Sequence, residues 1–289
     1  MVSMAGTEAG HVDEPARLSA QQARLRFRDG TTAPTSGWCN GYQQANMVAV
    51  PAEYAFELMV FAHRNPAPVP IIEVTDPGAV EAAGSAPGSD LRTDIPQYNI
   101  WENGQLVRTV PDATHYWRND LVTLLYGCSL TFERSLVAAG ISLPHWEQQS
   151  AVPMYDTNVV CAPAGRLHGN LVVSMRPIPA RMVPIAVEVT ARMPYAHGAP
   201  VQVGHPESLG IRDLSHPDYG DPVPDGADLL PTFWACGVTL QAVLRTAKLP
   251  FAITHYPGHM FITDLSDGSS RRPLDGHPQQ DNRAQGVLL

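Results

Sequence analysis

The stretch HYPGHMFITD, residues 255–264, does most to define the fold of this 289-residue chain. Apolar residues precede it at 251–253 and fill its second half at 260–262, while the Pro-Gly pair between them cannot continue a helix. We therefore predict a strand, a tight turn and a second strand. His255, His259 and Asp264 then lie on a buried backbone, where each needs a hydrogen-bond partner. We predict that these three residues belong to a catalytic site.

Strands and helices alternate through the rest of the chain. Short apolar strands are predicted at 69–75, 171–175, 201–203, 233–236 and 251–254. Helices are predicted at 20–27, 51–64, 117–126, 132–139 and 238–247. This alternation is typical of a layered α/β fold, in which helices flank a mixed, partly parallel sheet.

Both ends of the chain are polar, rich in turn-forming residues and without periodicity. We predict flexible tails at 1–16 and 266–289, with one catalytic unit at 17–265 between them.

The composition limits the classes of function. Apolar residues make up 44% of the chain and charged residues 16%, which indicates a globular protein. A net charge of −9 without any Lys/Arg-rich run argues against nucleic-acid binding. No apolar run approaches the roughly 20 residues that span a bilayer, so we expect no membrane insertion. Four widely spaced cysteines and a polar, acidic N-terminus favour a reduced, cytoplasmic protein. The sequence is compatible with a monomer or a homo-oligomer.

Two segments carry arginines suited to a carboxylate ligand. The loop APGSDLRTD (86–94) offers Arg92 together with hydroxyls and backbone N–H groups, although it could simply be held by its own Arg-Asp pair. Arg176 follows the predicted strand 171–175, where α/β sheets bind ligands, or is a buried arginine paired with a carboxylate. The candidate substrate-binding residues are Ser89, Asp90, Arg92, Thr93, Asp94, Tyr155, Asn158 and Arg176.

Two cysteines also lie in positions that suit chemistry. Cys128 and Cys236 each neighbour a glycine where one element passes into a helix, and a helix N-terminus lowers a thiol pKa. Two facing thiols are the arrangement of cofactor-independent amino-acid racemases, whereas a single buried thiol is usually an apolar filler. A metal at His255 and His259 is the less favoured interpretation, because Pro-Gly breaks the helical spacing of familiar zinc sites. We predict neither a metal nor another cofactor.

Nine segments, in order, cover nearly all of residues 20–265 and carry a family resemblance. They are GYQQANMVAVP (41–51), RNPAPVPIIEVTDPG (64–78), APGSDLRTDIPQY (86–98), YGCSLTFE (126–133), VPMYDTN (152–158), LVVSMRPIP (171–179), HGAPVQVG (197–204), FWACGVTLQ (233–241) and AITHYPGHMFITDL (252–265). The family that they resemble is that of the D-glutamate cyclases or hydro-lyases. The resemblance implies a carbon-oxygen lyase that closes D-glutamate to 5-oxoproline and water. It also implies an α/β architecture with a smaller second lobe and no established cofactor.

The chemistry of this cyclisation suggests roles for the candidate residues. Arg92 and Arg176 would bind the two carboxylates, either histidine of 255–264 would act as base and acid, and Asp90 or Asp264 would orient it. Amides at 127–129 or at Gly237 would form an oxyanion hole. Two alternatives stay open: a two-thiol racemase, and a non-catalytic binding protein for a small acidic metabolite.

Overall fold

The computed structural model describes residues 14–148, 150–224 and 226–268. In this part of the chain the helices are α1 (Glu14–Arg17), α2 (Ala20–Arg28), α3 (Ala52–Arg64), α4 (Leu130–Ala138), α5 (Pro144–Glu147), α6 (Val183–Ala191) and α7 (Val238–Ala247). The strands are β1 (Tyr42–Pro51), β2 (Ile71–Val74), β3 (Tyr98–Glu102), β4 (Gln105–Val110), β5 (Leu121–Gly127), β6 (Met154–Val160), β7 (Asn170–Pro179), β8 (Gln202–Val203), β9 (Leu229–Ala235), β10 (Ala252–His255) and β11 (Phe261–Ser266).

The strands form two sheets. The larger has the order β2-β5-β1-β10-β3-β4, with β11 also paired to β1, and the smaller has the order β6-β7-β9-β8. The predicted strands on either side of Pro257-Gly258 are both present. They follow one another along the same edge of β1, with Thr254 opposite Val48 and Phe261 opposite Ala45. Residues 256–260 therefore interrupt the pairing along one side of β1, and β10 and β11 do not form a hairpin with each other.

One hydrophobic core joins the two sheets. Val48 and Leu124 of the larger sheet belong to the same buried cluster as Val173 and Phe233 of the smaller one. Helices α3 and α7 contribute Leu58, Leu240 and Val243, for example, to this cluster. A second cluster covers the other face of the larger sheet beneath the 76–97 connection, and a third packs α4 and α6 against Trp234.

The predicted α/β class is confirmed, and the structure also has a second, smaller sheet, but the prediction of parallel pairing is wrong. Each pair in these sheets is antiparallel. The physical reason lies in the connections: α7 follows β9 of the smaller sheet and precedes β10 of the larger one. Such a strand–helix–strand unit bridges two sheets, so it does not place two parallel strands side by side.

One predicted helix is a strand. Residues 121–127 form β5, which is buried along its whole length between β1 and β2. An apolar run buried on both faces shows no period that separates helix from strand. Of the predicted tails, residues 14–16 belong to α1, Ser266 ends β11, and residues 1–13 and 269–289 lie outside the described part of the chain.

Candidate active site

A pocket lies where both sheets contribute residues at the ends of β5 and β9. It is lined by the ends of strands, the starts of helices and the segment that joins β10 to β11. The lining residues are Pro34, Ser36, Asn46, Cys128, Ser129, Leu130, Ser150, Ala151, Val152, Met154, His197, Cys236, Gly237, Val238, His255, Gly258 and Met260.

Two equivalent strand-to-helix junctions form one wall of the pocket. Cys128 follows β5 and Ser129 caps α4; Cys236 follows β9 and Gly237 caps α7. Both capping residues have φ −63° and ψ −21°. The first helical N–H groups have local acceptors: Thr131 donates to the Cys128 carbonyl oxygen and Thr239 to the Cys236 carbonyl oxygen, each at 3.1 Å. The helix dipole adds partial positive charge at both ends. Two anion-attracting helix ends therefore open into one pocket.

The two thiols at these junctions are protonated at neutral pH. Burial raises the pKa of Cys128 to about 12, although the N–H of Leu130 opposes the shift. Burial also raises the pKa of Cys236 to about 11, against the N–H groups of Val238 and Gly237. The thiols are close enough to repel each other as anions. As resting groups they can donate S–H hydrogen bonds but are poor bases.

Close backbone packing requires glycine at both junctions. A Cβ on Gly237 would lie 2.3 Å from Nδ2 of Asn46, a buried residue of β1. A Cβ on Gly127 would lie 1.5 Å from the carbonyl oxygen of Tyr195. Asn46 cannot easily move away, because its Nδ2 donates to the Gly127 carbonyl at 2.6 Å. These contacts hold the two junctions together.

His255 fills the break in the edge of β1. The Met47 N–H donates to its Nδ1 at 3.1 Å, and the Met47 carbonyl oxygen is 3.2 Å from the same atom. Its Nε2 is 3.4 Å from Nε2 of Gln241. Burial lowers the pKa of His255 to about 4, so the ring is neutral. Both ring nitrogens of His255 thus have polar neighbours within the protein. The residue also lines the pocket, where the sequence places a candidate catalytic residue.

His197 also lines the pocket and is missing from the sequence-based set of candidates. Its Nδ1 is 2.7 Å from the carbonyl oxygen of Ala67. Its Nε2 is buried and has no hydrogen-bond partner. The sequence signal that could have found it is weak: a His-Gly pair before Ala-Pro, which is typical of a turn.

Arg176 reaches the pocket only through Ser129. It is fully buried, and it donates to Glu133 Oε1 at 3.1 Å and 2.5 Å and to the Ser129 hydroxyl at 3.0 Å. Burial alone would raise the pKa of Glu133, but interactions with His145 and Arg176 lower it to about 2. Arg176 lies in the middle of β7 and not at a strand end, so it has the paired, buried arrangement of a structural arginine.

The 86–94 loop does not reach this pocket. Arg92 forms a two-point ion pair with Asp90 at 2.8 Å and 2.7 Å, and Asp94 forms another with Arg28 at 2.8 Å. Ser89 accepts from the N–H of Ala82, and Thr93 donates to Asp94. The loop is thus held by its own ion pairs, one of the two interpretations of its sequence.

Other predicted residues are also absent from the pocket lining. Asp264 pairs with Arg24, and His259 lies beside Tyr256 with its Nδ1 3.0 Å from the Pro257 carbonyl oxygen. The Tyr155 hydroxyl donates to the Leu214 carbonyl at 2.7 Å, and the Asn158 side chain packs against Gly210. Of the predicted set, the structure brings together Cys128, Cys236 and His255 around the pocket.

Unpartnered polar atoms gather around this region. In the described residues six buried side-chain polar atoms lack a hydrogen-bond partner, among them His197 Nε2, Ser150 Oγ and His145 Nδ1. The first two residues line the pocket, and His145 lines an adjoining one that shares Pro34, Ser36 and Ser150 with it. Since an unpaired buried polar atom costs about 1–3 kcal/mol, this clustering indicates a place for a polar ligand or water.

Residues 14–148, 150–224 and 226–268 contain neither a candidate metal site nor a candidate membrane-spanning helix. No three His, Cys, Asp or Glu side chains there are arranged to hold a metal ion. No helix within those ranges is long and apolar enough to cross a membrane. The four cysteines, Cys39, Cys128, Cys161 and Cys236, are buried free thiols.

Comparisons with known proteins identify close relatives. The sequence model of the D-glutamate cyclase family matches residues 122–264. A "Putative hydro-lyase" of Nocardioides sp. (strain ATCC BAA-499 / JS614) is 53% identical over 258 residues, which cover 89% of this chain and 95% of the relative. A protein of the same name from Agrobacterium fabrum is 53% identical over 259 residues, covering 89% and 95%. Another, from Pseudomonas syringae pv. syringae, is 51% identical over 254 residues, covering 87% and 96%.

Among solved structures, a nitrogen repressor-like protein from Methanococcus jannaschii gives a TM-score of 0.36 at 9% identity, covering 81% of this chain and 91% of that one. At this distance the likeness carries no inference about function.

Proposed function

On the premise that this chain belongs to the D-glutamate cyclase family of lyases, we propose that it converts D-glutamate to 5-oxo-D-proline and water. The observation that carries the proposal is the pocket onto which the N-termini of α4 and α7 both open. Two helix N-termini suit a ligand with two carboxylates, because the helix dipole at each end favours negative charge. D-Glutamate is such a ligand.

The reaction needs positioning more than a cofactor. The α-amine attacks the γ-carboxyl carbon, a C–N bond forms, a C–O bond breaks, and two protons of the ammonium leave with the γ-oxygen as water. Holding the two ends of the substrate so that nitrogen and carbon approach one another turns the attack into an effectively unimolecular step. In our proposal one helix end binds the α-carboxylate, and the other stabilises the oxyanion that forms at the γ-carboxyl carbon.

Sequence-predicted residues that line the pocket, or that contact its lining, have roles in this proposal. The thiols of Cys128 and Cys236 donate hydrogen bonds to the substrate oxygens, and Arg176 fixes the Ser129 hydroxyl at the start of α4. The 86–94 loop and Asp264 lie in other ion pairs, so our proposal assigns them no contact with the substrate.

The experiment that tests the proposal measures product formation and its inhibition by substrate analogues. Purified protein is incubated with D-glutamate and L-glutamate separately, and 5-oxoproline is followed by chiral chromatography. We expect 5-oxo-D-proline from the D-isomer. Glutarate, which has both carboxylates but no amine, should compete with the substrate, while butyrate should not. Folded protein that forms no 5-oxoproline from either isomer would refute the proposed reaction.

A second candidate function rests on the two thiols that share the pocket. A racemase would remove the α-hydrogen with one thiolate and return a proton from the other thiol. The raised pKa values of both thiols work against this function. A Cys128→Ala/Cys236→Ala variant distinguishes the two, because it abolishes racemisation and leaves cyclisation measurable. In deuterated water a racemase also places deuterium on the α-carbon, whereas a cyclase retains the original hydrogen.

A further inference from the structure

His197 occupies a backbone conformation that side chains rarely adopt. It follows a short 3₁₀ helix, Pro194–Ala196, with φ 73° and ψ −7°, and Gly198 after it also has a positive φ. The carbonyl of Tyr195 packs directly against Gly127, so the turn is fixed next to Cys128. A left-handed residue with a side chain costs about 1 kcal/mol or more, and such strain is concentrated at functional sites.

The hydrogen bond to Ala67 fixes the tautomer of this imidazole. A carbonyl oxygen only accepts, so Nδ1, at 2.7 Å from it, carries the proton. Nε2 therefore presents a lone pair. The side chain is 4% exposed, and Nε2 has no partner although it is buried. Because His197 lines the same pocket as the two helix ends, this lone pair is available to a bound ligand.

The other titratable groups around the pocket are less suited to accept a proton. Nδ1 of His255 already contacts the backbone of Met47, and its Nε2 has Gln241 as a neighbour. Cys128 and Cys236 are protonated thiols, and the Arg176 guanidinium is committed to Glu133 and Ser129. Among the groups that line the pocket in the described residues, Nε2 of His197 is thus the best-placed base.

We infer that His197 is the acid–base group of this pocket, a role that rests on the proposed cyclisation of D-glutamate. Its Nε2 accepts a proton from the α-ammonium, which frees the nitrogen lone pair to attack the γ-carboxyl carbon. The imidazolium then gives this proton to the departing γ-oxygen. A second proton from the nitrogen follows the same route, and the oxygen leaves as water. The imidazole ends as it began, so no other reactant is needed.

The ring is uncharged when the substrate binds. Burial lowers the pKa of His197 to about 4, more than the Ala67 hydrogen bond raises it, and the charge of Arg176 lowers it further. The imidazole is therefore neutral at neutral pH, when the substrate nitrogen is an ammonium.

Two substitutions remove the base and keep the backbone conformation. Asparagine tolerates the left-handed region, and its amide can still donate to Ala67, so His197→Asn should fold normally. We expect kcat to fall at least ~100-fold while KM for D-glutamate changes little, the usual scale for one acid–base group. His197→Gly leaves a gap of the size of the ring, and added imidazole should restore part of its kcat.

The matched control is His205→Asn. His205 is also left-handed, with φ 51°, but it is exposed and does not line the pocket, so its variant should keep the wild-type rate. If wild-type protein forms no 5-oxoproline, the proposed function fails and this role fails with it. If wild-type protein is active and folded His197→Asn keeps its rate, the role of His197 alone is refuted. Loss of activity without imidazole rescue, together with a lower unfolding midpoint, would indicate a structural residue and refute it as well.

Discussion

Replacing Gly237 by alanine tests whether the two strand-to-helix junctions are held together by the packing described above. Gly237 has φ −63°, which alanine adopts without strain, so backbone conformation does not oppose the change. The added Cβ would lie 2.3 Å from Nδ2, 2.4 Å from Cγ and 2.4 Å from Oδ1 of Asn46. Asn46 is 2% exposed and donates to the Gly127 carbonyl at 2.6 Å, so it cannot withdraw without losing that bond.

The size of the effect follows from three contributions. Overpacking of a dense core costs about 1–3 kcal/mol, and a displaced buried hydrogen bond costs about another 1–3 kcal/mol. Alanine regains about 0.5–1 kcal/mol through the reduced entropy of the unfolded chain. We therefore expect Gly237→Ala to lower the free energy of unfolding by about 3 kcal/mol. For a chain of this size that corresponds to a decrease in Tm of about 5 °C.

Urea and thermal unfolding of four proteins measure the effect: wild type, Gly237→Ala, Asn46→Ala and the double variant. Asn46→Ala removes the amide that the new Cβ would meet. In that background Gly237→Ala should be neutral or stabilise by up to about 1 kcal/mol, which gives a coupling free energy of several kcal/mol. Additive effects, or a single Gly237→Ala variant as stable as wild type, would refute this explanation of the junction.

Three further changes are expected to alter stability. Glu133→Gln leaves Arg176 as an uncompensated buried charge and should cost about 3–5 kcal/mol in urea unfolding. Since the folded pKa of Glu133 is about 2 against an ordinary 4.5, its stabilisation of the wild type should be lost as pH falls from about 4.5 towards 2; a flat acid profile would contradict this. His197 and His255 have folded pKa values of about 4, so the unfolded chain binds protons first and stability should decrease from pH 6.5 to about 4. His255→Gln should reduce that slope. Gly127→Ala places a Cβ 1.5 Å from a backbone oxygen of Tyr195 and should prevent recovery of folded protein.

Local signals explain which elements the sequence predicts well. Helix α2 has a complete capping box between Ser19 and Gln22, and α7 follows a glycine at a strand end with an amphipathic repeat. Strand β5 is mispredicted because an apolar run buried on both faces has no distinguishing period. Strand β1 begins with YQQAN (42–46), a polar segment that resembles a turn. Its side-chain amides are nevertheless buried, and their nitrogens are paired: Gln44 donates to the Thr35 carbonyl, and Asn46 to the Gly127 carbonyl.

The residues of the candidate site also differ in whether a local sequence pattern predicts them. Cys128 and Cys236 are recognisable because a thiol beside glycine before a helix is a local pattern. The loop around Arg92 contains residue types that are equally suited to binding a carboxylate. Asp90, however, is only two residues away and forms an ion pair with Arg92 within the loop. His197 depends on the Ala67 carbonyl, 130 residues distant in sequence, and on a pocket shared by two sheets. Such long-range contacts leave no periodic signal in a single sequence.

The central claim is that this pocket closes D-glutamate by loss of a γ-oxygen as water, and oxygen-18 labelling tests it most directly. D-Glutamate labelled in both γ-oxygens is incubated with wild-type protein, and product and water are analysed by mass spectrometry at low conversion. We predict 5-oxo-D-proline that retains one labelled oxygen and its original α-hydrogen, with the other labelled oxygen in water. Unchanged D-glutamate, or conversion to L-glutamate with both labels retained, would contradict the account.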